Sequence, residues 1–454
     1  MVIMGNALPE LKRFLRPLGL RPRAAQLLTC CVVAFVMHLG RMGAARAAGS
    51  VRSEPRHRAP ICRFLGRKWL RRMRPAAVLR ARLLGQEGRA GEFLFVVDQT
   101  LASQQGHKTE NTFSTGNRRR RPRKGRRYNR YKHARKSCHC FVQGLLLTPG
   151  GLRVPFCRCY YTRDYCAQKG IPYRTQAELA AELIAELPLP EGARVVVLGD
   201  TAFDAASIRR ACAPRGYTWV VPLNPERVLA GPRGRRPKVK TLVHGLRADQ
   251  LVTVRLHAGQ GPYAAQRRAS PYRVGPKVKP RTYYVHLQRQ VVHSVGEVQL
   301  VFSTRDKPQH GQPVAVQKIL MTNDLKATAR QIVERYGLRW QIELYFKEIK
   351  STLGFHQYRF RSFERAEGWV ELVLLTVLYP EQYRLRQLQR RDPSEERKQW
   401  WRWQRLPGLC LAVRQAAEQA DLEEIAQRLQ TPTGLRRLRQ LLKRALPKES
   451  RTAM

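Results

Sequence analysis

Tyr336, Arg339, Glu343 and Lys350 are spaced for chemistry. Set on a single helix over residues 335–360 at about 100° per residue, they fall within roughly 60° of one another. A carboxylate then lies between cations on one polar strip. Leu338, Ile342, Tyr345, Phe346 and Ile349 form a separate apolar arc suited to a core. On an arbitrary helix such a strip is a solvated face held by pairs such as Arg339–Glu343 and Glu343–Lys347. Two other stretches change that reading. Residues 93–98 (FLFVVD) and 194–200 (RVVVLGD) are apolar runs of strand length, closing on Asp98 and Asp200. Alone, an aspartate after a strand is commonly a turn residue. Carboxylates are also the hard oxygen ligands that Mg²⁺ prefers, and Arg and Lys grip phosphates, one as a fork and the other as a point charge.

With these residues the chain resembles the DDE transposases of bacterial insertion sequences. It is most similar to the subgroup with a Tyr-x2-Arg-x3-Glu-x6-Lys signature, which reads here as Tyr336, Arg339, Glu343 and Lys350 with every spacing kept. The family's Gly-Asp-x-x-Phe form appears as Gly199, Asp200 and Phe203. The resemblance runs from about residue 60 to about residue 390. It implies that Asp98, Asp200 and Glu343 are the catalytic carboxylates and the ligands of two Mg²⁺ ions, with Mn²⁺ as a substitute. Asp98 would bridge the pair, and Asp200 and Glu343 would each hold one ion. Two such ions about 4 Å apart can activate a water and stabilise a leaving oxyanion in phosphodiester cleavage. Tyr336, Arg339 and Lys350 would hold the DNA beside the scissile bond. The freed 3′-hydroxyl would then attack target DNA in line. A nuclease of the same fold without strand transfer, and an inactive DNA-binding remnant, are the rival readings. Glu348, Glu334 and Asp324 miss the register of the signature, and Asp204 reads as a helix cap. Two departures stand out. The first site is Asp98-Gln99-Thr100 where many relatives have Asp-Asp-Thr, and no tryptophan lies between Trp219 and Trp340. A hairpin intermediate is therefore not expected, and Trp219 reads as core.

Composition agrees with a polyanionic partner. The 454 residues carry 85 Lys+Arg against 33 Asp+Glu, a formal charge of +52. The resemblance implies double-stranded DNA as that partner, as transposon ends and target, with two subunits paired in the DNA complex. A membrane is excluded by the lack of any run of 18 apolar residues. The run at 27–39 (LLTCCVVAFVMHL) reads as a buried helix rather than an export signal, so the expected place is the cytoplasm, on the nucleoid when bound to DNA. Cys138/Cys140 and Cys157/Cys159 form C-x-C pairs that each share a strand face. Zinc sites more often use C-x2-C, and buried small hydrophobes in a reduced cytosol explain the ten cysteines better.

The fold class expected is α/β. Residues 1–90, with 19 Lys+Arg and three acids, read as a helical DNA-binding domain. Residues 91–223 and 316–390 would form a ribonuclease-H-like core, as the resemblance implies, split by a β-rich insertion at 224–315. A basic helical tail, 391–454, follows. Expected strands lie at 93–98, 138–147, 152–161, 194–200, 217–223, 282–292 and 297–304. Expected helices lie at 175–187, opened by a Thr175/Glu178 capping box, at 204–212 and at 366–385. Residues 117–136 form a loop with twelve Lys/Arg and no acid, Arg126 and Arg127 among them, interleaved with Tyr128 and Tyr131. Such a loop can bind phosphates and stack on bases, or serve only as a solvated arm.

Overall fold

Helices come first. The described residues begin with α1 (Ala7–Leu15), α2 (Pro22–Met37), α3 (Ala59–Leu65), α4 (Lys68–Met73) and α5 (Pro75–Glu87). The apolar run at 27–39 lies largely in α2, whose Leu28, Cys31, Val32, Ala34, Phe35 and Val36 are buried as expected. A proline at its first turn and left-handed Gly88 past its end delimit α5. This computed structural model describes residues 7–37, 59–88, 90–104, 108–115, 136–231, 236–257, 262–263, 266, 280–390 and 405–445. Arg126, Arg127, Tyr128 and Tyr131 of the basic loop, and Trp400, Trp401 and Trp403, lie outside the described residues.

Strand and helix then alternate through β1 (Phe93–Gln104), β2 (Phe113–Thr115), β3 (Lys136–Leu147) and β4 (Arg153–Cys159). Next come α6 (Arg163–Lys169), α7 (Gln176–Ala185), β5 (Val195–Leu198), α8 (Ala206–Cys212) and β6 (Thr218–Pro222). Thr175 and Glu178 close the expected capping box on α7. The later segment adds α9 (Val239–His244), β7 (Val252–Leu256), β8 (Arg281–Val292), β9 (Gly296–Thr304) and β10 (Lys318–Thr322).

All these strands join one mixed ten-stranded sheet, ordered β2-β3-β1-β5-β6-β10-β9-β8-β7, with β4 on β3. β1 is antiparallel to β3 and parallel to β5, and β5 is parallel to β6. β10 pairs antiparallel with both β6 and β9. β7, β8 and β9 thus extend the central sheet.

The C-terminal part is helical: α10 (Ala329–Gly337), α11 (Trp340–Thr352), α12 (Phe363–Arg390), α13 (Leu406–Leu429) and α14 (Pro432–Ala445). The apolar helix expected at 366–385 is the body of α12. It packs against β4, α2, α3, α5 and α13, with Trp369 fully buried. Residues of α1–α5, the sheet and α10–α13 share one hydrophobic core. Among the described residues no helix is long and apolar enough to cross a membrane.

Candidate active site

β1 runs past the expected end at Asp98, on to Gln104. Its parallel neighbour β5 pairs only with Phe93–Val96, so Asp98 stands two residues beyond that pairing, opposite Gln143 of β3. Asp200 follows β5 by two residues. Both carboxylates therefore sit just beyond the point where the parallel pairing of β1 and β5 ends, the opening at which a twisted sheet presents side chains to a ligand. The Gly-Asp-x-x-Phe spacing has a local cause. Asp200 accepts a hydrogen bond from the Ala202 amide at 2.9 Å and closes a short 3₁₀ turn, Thr201–Phe203. That turn brings buried Phe203 so close that a Cβ on Gly199 would stand 2.9 Å from the Phe203 Cβ. Asp204 does not cap a helix. It pairs with Arg209 at 2.5 Å and Arg227 at 2.6 Å, and α8 starts from Ala205 without a side-chain cap.

The signature lies on two helices, not one. Tyr336 belongs to α10, Arg339 is the N-cap of α11, and Leu338-Arg339 form the turn between them. Leu338 and Arg339 both keep right-handed helical angles, so the polar strip survives the break. Nor does the helix reach Phe360. It stops at Thr352, and Gly354 turns the chain at φ 62°. Leu338, Ile342, Tyr345 and Ile349 are buried as the apolar arc requires.

Arg339 joins two of the three carboxylates. Its guanidinium lies 3.3 Å from an Asp98 oxygen and 2.5 Å from a Glu343 oxygen. It was expected on a DNA phosphate; here it is the counter-ion of the acids. Asp200 completes the group electrostatically. Burial raises the Asp98 pKa to about 6, against the hydrogen bond from the Gln99 amide, and the negative charges of Asp200 and Glu343 add to the rise while Arg339 opposes it. The donor types suit a hard divalent cation: Asp98 and Glu343 are oxygen ligands that meet on one guanidinium, and the charge of Asp200 reaches Asp98. The placement is not yet a cage. Among the described residues no three His, Cys, Asp or Glu side chains stand close enough to hold a metal ion.

Lys350 lies further along α11, half-buried, with no ion pair among the described residues; lost hydration lowers its pKa. The rival acids are committed elsewhere. Glu348 is buried between Arg153 and Arg405, 2.8 Å from each. Asp324 pairs with Arg335, which also binds Glu92, and Glu334 is buried. Trp219 is 4% exposed, a core residue as expected. No described cysteine forms a disulfide. The strand register puts Cys157 and Cys159 on the face of Phe141 and Gln143, opposite Cys138 and Cys140. Burial pushes the Cys140 thiol up to about 12, which suits a small hydrophobe. Two residues escaped the sequence reading: Lys318, whose ammonium lies 4.9 Å from the centre of the Tyr336 ring, and Trp340, 57% exposed beside Arg339. A lone lysine at the head of an apolar strand carries no signal of its own.

Residues 13–273, more than half of the chain, match the DDE superfamily endonucleases, a stretch that includes Asp98 and Asp200. The chain belongs to the DDE endonuclease superfamily. Residues 173–379 also match the transposase DDE domain, a stretch that includes Asp200 and the whole signature. Between them the two matches carry all three carboxylates. No curated protein matches the chain.

Proposed function

We propose that this DDE protein is the transposase of an insertion sequence, of the Tyr-Arg-Glu-Lys signature subgroup, which cleaves phosphodiesters at the element's ends and joins them to target DNA. One observation carries the reading. Asp98 and Glu343, from strand and helix 245 positions apart, meet on the single guanidinium of Arg339, with Asp200 within electrostatic reach.

The strand order β4-β3-β1-β5-β6, antiparallel and then parallel, supports a ribonuclease-H-like core in residues 91–223 and 316–390. Residues 224–315 are the β-rich insertion, residues 1–90 the basic helical part that recognises DNA ends, and residues 391–454 the helical tail. Asp98, Asp200 and Glu343 would hold Mg²⁺, or Mn²⁺ in its place. Bound there, the ions would lower the pKa of the attacking water and stabilise the leaving oxygen. Asp98, with its pKa near 6, is ionised and able to ligate at neutral pH. Arg339, released from the acids, and Lys350 grip the phosphates flanking the cut, and Tyr336 orients the strand. Arg126 and Arg127 extend the contact to the flanking duplex, and two subunits bring the two ends together.

The test uses DNA carrying the inverted repeats that flank the coding region, Mg²⁺ and a supercoiled target plasmid. Ends joined to the plasmid support a transposase. Cleavage without joining means a nuclease, and binding without cleavage means an inactive DNA binder.

A further inference from the structure

We propose that Lys318 is a further substrate-binding residue of this site, taking a non-bridging oxygen of a DNA phosphodiester next to the scissile bond. The inference rests on the reading of the site as a DNA-cleaving centre and deepens it. Tyr336 serves two cations: the Lys318 ammonium lies 4.9 Å from its ring centre and the Arg339 guanidinium carbon 6.0 Å. These two cations differ in how their charge is met. Arg339 is neutralised by Asp98 and Glu343. Lys318 is exposed and makes no ion pair among the described residues.

Its surroundings are nevertheless those of the acids. Lost hydration lowers its pKa, Arg339 lowers it further, and the charge of Glu343 raises it. The ammonium is thus within electrostatic range of Glu343 without being paired to it. Its position is also fixed. Lys318 is the first residue of β10, paired with Ser303, whose hydroxyl donates to the Lys318 carbonyl at 3.1 Å. The tyrosine ring faces the charge. A cation held at the lip of an acidic cluster, and left without an anion, is matched by an anion that arrives with the substrate. Lysine is suited to a backbone phosphate, which it meets as a point charge from several directions.

The test measures binding of the end DNA by the full chain in Ca²⁺, across a range of salt, for wild type, Lys318→Gln, Lys318→Arg and Lys326→Gln. Lys326, exposed just past the other end of β10, controls for the loss of any one charge. Lys318→Gln is expected to weaken binding roughly tenfold at about 0.1 M salt and to flatten the slope of log K against log salt by about 0.9. Lys318→Arg should restore both, and Lys326→Gln should leave the slope near that of wild type. A wild-type slope in Lys318→Gln overturns the proposal, as does an equal loss in Lys318→Arg, which would mark a packing role. Failure of the wild-type chain to bind any end DNA overturns the transposase reading itself.

Discussion

At the proposed centre the state of Asp98 is set by its burial. Its pKa rises from 3.8 to about 6, so folding favours the protonated acid. Below 3.8 both folded and unfolded chains hold the proton and stability is unaffected. Between 3.8 and about 6 the unfolded chain has lost a proton that the folded chain keeps, so stability falls as pH rises. Above about 6 the penalty is complete. Asp98→Asn should therefore stabilise the metal-free protein at pH 7.5 by up to about 3 kcal/mol and leave it unchanged near pH 3.5, a difference that denaturant unfolding at the two pH values reads out. DNA cleavage is expected to vanish in the same variant, and to decline in wild type as the pH drops through 6, where the proton competes with the cation for the carboxylate. Arg339→Gln tests the guanidinium as that cation's competitor. Calorimetric titration should show Mn²⁺ binding several-fold tighter while end-DNA binding weakens, and equal Mn²⁺ affinity would mean the arginine does not stand in the way.

Among the elements, α11 presents opposite commitments on its two sides. Glu343 looks toward β1 and the acids, whereas Glu348 is clamped by Arg153 of β4 and by Arg405, the N-cap of α13. Truncating one partner of a buried pair leaves charges unmatched. Glu348→Ala should cost about 3–5 kcal/mol in urea unfolding and make α13 more sensitive to limited proteolysis. The turn after β5 is less tolerant than its small residues suggest. Gly199→Ala forces its new methyl against Phe203, shifts Asp200, and should cost about 1–3 kcal/mol together with cleavage activity. Much of this layer was legible in advance. Apolar runs located β1, β3, β5 and β6, Thr175 and Glu178 announced α7, and signature spacing picked out Glu343 over Glu348 and Asp324. The misses have local causes. The apolar run ends at Asp98 but the strand does not, because pairing with β3, which carries β1 to Gln104, is a long-range event. The signature helix is shorter than its apolar spacing predicts because Gly354, at φ 62°, turns the chain just past Thr352. The break at Leu338-Arg339 leaves no trace in residue types, since both residues keep helical angles. The Arg339 clasp was beyond periodicity, which places side chains on a helix face without saying what approaches that face.

For the molecule as a whole, +52 charges repel one another, and added salt relieves them. Raising NaCl from about 50 mM to about 500 mM should increase the melting temperature of the free protein while weakening its hold on DNA steeply, two opposite trends measurable in one buffer series. The sheet has a different consequence. Because β10 is laced between β6 and β9, the stretch proposed as an insertion has no joint where it could be lifted away in space. A shortened chain lacking 224–315 would bare the outer edge of β10, a raw template for other chains, and would be expected to precipitate rather than behave as a trimmed enzyme. What looks like cargo along the polypeptide is, in three dimensions, part of the hull.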